Sequence, residues 1–110
     1  MTFNSQAHEA LYNEALAELG GNDDREYMSL CYIITSLGRD VWQRYIGYLN
    51  CDMTLGELKA GLSGGEKLMV DVALNLYGGS GSVNLARACN TLDDDNFNVL
   101  VNGLLLRRGA

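Results

Sequence analysis

His8 is the single histidine of the chain. It precedes Glu9 directly and stands four residues before Tyr12, so on a helix His8 and Tyr12 share a face. An imidazole titrates near neutrality, which makes His8 the first candidate for general acid–base work. Such work needs a constellation around it. The sequence shows no H-x-x-x-H, no H-E-x-x-H and no serine elbow, so the expected role of His8 is structural or at the surface. Asp52 and Glu57 likewise lack the context of an acid–base pair. Cys31, Cys51 and Cys89 form no closely spaced pair, and with one histidine they do not suggest zinc. An odd, sparse set of thiols suits a reducing compartment.

Two further strings carry local chemistry. Leu62-Ser63-Gly64-Gly65-Glu66-Lys67 resembles the signature loop of ATP-binding-cassette ATPases, where a capping serine and glycine amides face a phosphate. The rest of such an ATPase is missing. There is no G-x-x-x-x-G-K-[S/T], and Glu66 is repulsive to phosphate. A turn followed by a capping box, with Ser63 and Glu66 satisfying each other's amides, is the expected reading. Asp93-Asp94-Asp95 offers oxygens for a hard cation, but no twelve-residue loop closes on a glutamate. Helix capping explains the three aspartates more simply. No cofactor and no metal is expected.

Charge then narrows the partners. Eight lysines and arginines stand against fourteen acidic residues, a net charge of −6 at neutral pH. Nucleic-acid affinity rests on clustered cations. The one basic pair is Arg107-Arg108, so direct nucleic-acid binding is not expected. The largest imbalance lies early in the chain. There Glu9, Glu14, Glu18, Asp23, Asp24 and Glu26 face Arg25 alone. Glu14, Glu18, Asp23, Asp24 and Glu26 form the candidate interaction surface, toward a protein partner that is basic. Two alternatives stand beside this one: a solvated face, and mimicry of spaced phosphates by an acidic inhibitor of a basic host protein.

These residues must be held by helices. The chain has 110 residues, 47% hydrophobic and 20% charged, with thirteen glycines and no proline. That is enough for one core, and a single helical domain over 1–110 is expected. Its start has neither a basic flank nor an apolar run, and the longest apolar run is Leu30 to Ile34. No signal peptide or membrane span is therefore expected, and the location is read as cytoplasmic.

The first segment runs from Ser5 to Leu19 and stops at Gly20-Gly21, with a turn at Asn22-Asp23-Asp24. The second, from Asp24 to Leu37, is capped by Asp23 with Glu26. It is apolar through Leu30–Ile34 and should be central. The third, Val41 to Leu49, is capped by Asp40 with Gln43 and buries Trp42. Thr54 with Glu57 opens a short helix to Ala60, and Ser63 with Glu66 opens one to Tyr77. Ser82 is read as the cap of a short helix to Cys89, with Val83 and Leu85 among its apolar members. Asp93 caps the last helix, stapled by Leu92 and Phe97, with Phe97, Leu100, Val101, Leu104 and Leu105 as its buried stripe. The fold class is all-α: a compact bundle of about five main helices plus one short helix.

The whole pattern resembles a group of small uncharacterised helical proteins of Gram-positive bacteria and their prophages. The residues that carry the likeness are Phe3-Asn4-Ser5 through His8 and Tyr12, Tyr27 with Tyr32-Ile33-Ile34, Leu37-Gly38, Asp71 to Gly78, and Leu104 to Arg107. The resemblance implies a helical accessory protein and brings no catalytic residues. The function expected is a noncatalytic protein-interaction or regulatory module. A small enzyme assembled from His8, Asp52, Asp71 and the cysteines is the competing class. The oligomeric state is left open.

Overall fold

The computed structural model describes residues 2–21 and 23–109. Among the described residues there are seven helices and no strand: α1 (Gln6–Leu19), α2 (Arg25–Ser36), α3 (Arg39–Leu49), α4 (Leu55–Lys59), α5 (Gly64–Gly78), α6 (Leu85–Thr91) and α7 (Asp94–Arg108). The all-α class holds, and the expected five main helices plus one short helix is corrected to seven. The reason is that the two short segments are each capped independently. Thr54 and Glu57 close a capping box on α4, and the Asn84 side chain accepts from Arg87 N on α6.

Several expected caps move. Asp24, not Asp23, opens α2; its Oδ1 accepts from Glu26 N at 2.9 Å and from Tyr27 N at 3.2 Å. The expected turn includes Asn22, which lies outside the described residues. Asp40 does not cap α3. Only Leu37 and Gly38 separate α2 from α3, and Gly38 makes that corner at φ 105° without a side-chain cap. Asp40 then falls in the first turn and pairs with Arg44 at 3.1 Å. Asn84 replaces Ser82 at α6, which leaves Ser82 and Val83 before the helix and Leu85 exposed.

Helix α2 is the axis of the bundle, as its apolar run predicts. Ser29 to Thr35 are buried at seven consecutive positions, because α1, α3, α5 and α7 all pack around it. Two of the three hydroxyls in this run are satisfied within the helix: Ser29 Oγ donates to Glu26 O at 3.1 Å, and Thr35 Oγ1 donates to Cys31 O at 2.5 Å. Trp42 is buried on α3, as expected, and stacks on Tyr45 with ring centroids 5.6 Å apart. One continuous core takes residues from every helix.

The last helix is turned from its expected orientation. The residues it buries are Val99, Leu100 and Gly103. Of the expected stripe only Leu100 is inside; Val101, Leu104 and Leu105 are exposed at 38%, 42% and 46%. Gly103 decides the orientation. A Cβ there would lie 2.6 Å from Ile33 Cδ1 and 2.9 Å from Cγ1, so α7 approaches α2 at the one position without a side chain.

This close approach predicts a coupled pair. Gly103→Ala gains about 1 kcal/mol of helix propensity but overpacks a filled site, for a net loss of about 1 kcal/mol. Ile33→Val alone costs about 1 kcal/mol as a cavity. In the Gly103→Ala background the same substitution removes the nearer contact, at Cδ1, and leaves the one at Cγ1, so it should cost less than it does alone. Urea midpoints of the four proteins check this non-additivity.

Candidate interaction surfaces

The acidic residues singled out by sequence are distributed over several tasks. Glu14 on α1 meets Arg39 on α3 at 2.7 Å, and this guanidinium holds its carboxyl below the usual range. Asp24 caps α2, and Glu26 faces Arg107 of α7 at 3.5 Å. Glu18 and Asp23 have no ion pair among the described residues. The structure thus brings Glu14 and Glu18 to one groove, of about 180 Å³, with Arg39, Trp42, Gln43 and Ile46. Glu26 is drawn away toward the end of α7 by Arg107.

The cations explain much of this. Of eight lysines and arginines, five are bound to other elements. Arg39 joins α3 to α1. Arg44 donates to the carbonyls of Leu58 and Ala60, at 3.3 and 2.6 Å, and so caps the end of α4. Lys59 meets Asp71 at 2.7 Å. Arg25 donates to Arg108 O at 3.2 Å, and Arg107 Nε donates to Leu76 O at 2.7 Å. The single basic pair of the sequence is therefore half turned inward, and it forms no cationic patch.

His8 is buried, and its hydrogen bonds fix its state. Asn4 N–H donates to Nδ1 at 3.2 Å, so Nδ1 carries no proton. The proton sits on Nε2, which donates to Tyr32 O at 2.8 Å. The rings of Phe3 and Tyr32 lie 5.0 and 4.9 Å away, centroid to centroid. Burial lowers the His8 pKa from its ordinary 6.5, against the opposing pull of the Tyr32 carbonyl. His8 thus staples α1 to α2 as a neutral group. Tyr12, one turn on, is buried with its hydroxyl unpartnered, and burial pushes its pKa up to about 12.

The competing enzyme site needs convergent side chains, and the cavity beside His8 is not lined by Asp52, Asp71 or any cysteine. A cavity of about 170 Å³ is lined by Asn4, Ser5, Thr35, Arg39 and His8, the last being the one member of the proposed set to reach it. Asp71 is held by Lys59. Cys31 is buried, and desolvation first, then the Glu18 charge, raises its thiol to about 12; Cys51 and Cys89 are exposed. Among the described residues no three His, Cys, Asp or Glu side chains cluster as metal ligands. Asp93 accepts from Asn96 N at 2.8 Å as the cap of α7. Ser63 and Glu66 form their capping box, and Ser63 N donates to the Glu66 carboxylate at 2.9 Å.

What sequence reasoning missed is the outer side of α7. Val101, Leu104 and Leu105 are exposed, and Phe97 is half-buried outside the core cluster. Helical periodicity marks such a stripe as apolar without saying which way it faces. The available signal was Gly103: a mid-helix glycine marks the side of closest approach, and the inner face runs through it. No helix among the described residues is long and apolar enough to cross a membrane. Comparisons with protein-family models, with curated proteins and with solved structures give no match.

Two measurements check the buried polar pair. The neutral His8 contributes stability that is full above pH 6.5 and lost as pH falls through its lowered folded-state value. Urea stability should therefore decline as pH falls below 6.5, and His8→Gln should flatten that decline. Tyr12→Phe removes an unpartnered buried hydroxyl and should raise stability by about 1 kcal/mol, seen in the same titration at pH 7.

Proposed function

We propose that the chain is a noncatalytic protein-interaction module. The observation that carries this reading is the outer face of α7, where Phe97, Val101, Leu104 and Leu105 form an apolar stripe with no core behind it to fill. Aliphatic side chains exposed singly are ordinary; a run of them along one helix face marks a contact surface. The partner in this reading is a polypeptide whose own apolar helix face covers the stripe. An electrostatic edge adds to it. Glu18 and Asp23 keep their charges available to a basic partner, and the −6 net charge steers such a partner from a distance. A cytoplasmic setting and a place among accessory proteins of Gram-positive bacteria and their prophages belong to the same proposal, supported by the sequence likeness alone.

Affinity capture from a lysate of the source cell, with untagged chain present, tests this reading. Leu104→Glu lies at an exposed position and should stay folded by circular dichroism. It is expected to lose the bound polypeptide. Glu18→Gln with Asp23→Asn should weaken capture of a basic partner at low salt and change little at high salt. Retention of every specific partner by both folded variants rejects the reading.

A further inference from the structure

We propose that the polypeptide covering α7 is a second copy of this chain, docked antiparallel. The inference rests on the α7 face of the interaction reading above and supplies the partner for that face; the acidic edge at Glu18 and Asp23 is left to a separate, basic partner. Along the outer face the spacing is Asp94, Phe97, Val101, Leu104, Arg108. Steps of three, four, three and four keep these five residues on one side of a helix, as in the seam of a paired helix. At 100° per residue this seam lies opposite the face of Val99, Gly103 and Leu106, which the rest of the bundle already occupies. The core therefore cannot bury both faces of α7.

The charges at the two ends name the occupant and its direction. The seam begins at Asp94, with Asp95 beside it, and ends at Arg108. All three are exposed, and neither Asp94 nor Arg108 forms an ion pair among the described residues. Val101 is seven residues from each end. Two copies of α7 crossing antiparallel near Val101 bring the acidic start of each beside the basic end of the other. Both copies gain the same contact, as a two-fold interface requires. A parallel pair sets Asp94 against Asp94 and Arg108 against Arg108, and is repelled at both ends. The seam is about 22 Å long. A standard stable interface covers about 800 Å² on each partner. The three apolar side chains of the seam supply less than that, so the dimer is weak and reversible. The net charge of −6 on each copy opposes it at low salt, and the attraction at the helix ends acts at contact range, where screening is least.

Sedimentation equilibrium of the full chain at physiological salt tests the proposal. The mass should rise from 12.0 kDa toward twice that value between ~1 μM and ~1 mM. Folded Leu104→Glu should stay monomeric throughout. The charge arms identify the direction. Asp94→Arg alone and Arg108→Asp alone each place like charges together in the antiparallel pair and should be monomeric. Mixed in equal amounts they become complementary at both ends and should dimerise again. A chain that is monomeric at every concentration overturns the proposal, as does a dimer indifferent to Leu104→Glu or to the charge changes. A monomeric chain that still captures a different partner through Leu104 overturns self-association and leaves the interaction reading standing. A dimer lost with Leu104→Glu supports both.

Discussion

The structure depends on keeping water from one helix. Ser29 to Thr35 of α2 are buried at every position around the helical wheel, so no single neighbour covers them. Each of α1, α3, α5 and α7 must therefore dock, and three of them do so with a distinct device. The neutral His8 imidazole ties α1 to the Tyr32 carbonyl. The tight Gly38 corner folds α3 back onto α2. The Tyr32 hydroxyl reaches across to α7, where Asn102 Nδ2 donates to it at 3.1 Å, and to the Thr2 carbonyl. Burying these polar atoms is tolerable only because each finds a partner; Tyr12 is the exception.

Arginine completes what apolar burial leaves unfinished at the helix ends. Carbonyls in the last turn of a helix have no internal N–H donor, and the guanidinium supplies donors that can serve two of them at once. Arg44 does this at Leu58 and Ala60, and Arg107 and Arg25 tie the end of α7 to α5 and α2. The acidic composition is thus more evenly distributed over the surface than the sequence order of its carboxylates suggests. Glu14 and Glu26, close to Glu18 and Asp23 in sequence, each have a cation from a remote helix in front of them.

Most of the helical architecture was legible from residue order, because its signals are local. Ser5, Thr54, Ser63 and Asp93 cap the helices they were read to cap, and the apolar run of α2 marks it as central. Misreadings occurred where a distant element decides. Asp23 and Asp24 are adjacent candidates, and Asp24 is the one whose Oδ1 meets the first amides of α2. Asp40 reads well as a cap until the two-residue connection from α2 is seen to leave that place to Gly38. The acidic cluster was visible as a list of charges, but its pairing with Arg39 and Arg107 depends on contacts across 25 and 81 residues of chain. The outer stripe of α7 was read as core because apolar periodicity has no inward or outward sign, and only the gap opposite Ile33 supplies one.

The central place of α2 also sets a timetable for biosynthesis. Its apolar run is complete at Ile34, yet two of its four walls, α5 and α7, end at Gly78 and Arg108. At ribosomal rates of about 5–20 residues per second, the last wall follows on the order of 4–15 seconds later. Between the completion of α3 at Leu49 and that of α5 at Gly78, a nascent chain carries Leu30 to Ile34 with α1 and α3 as its available cover. Local pairing of α1, α2 and α3 needs little loop closure, so these three helices are free to associate before α5 and α7 are made. The segment Leu30 to Ile34 is thus synthesised well before all four of the helices that hide it exist.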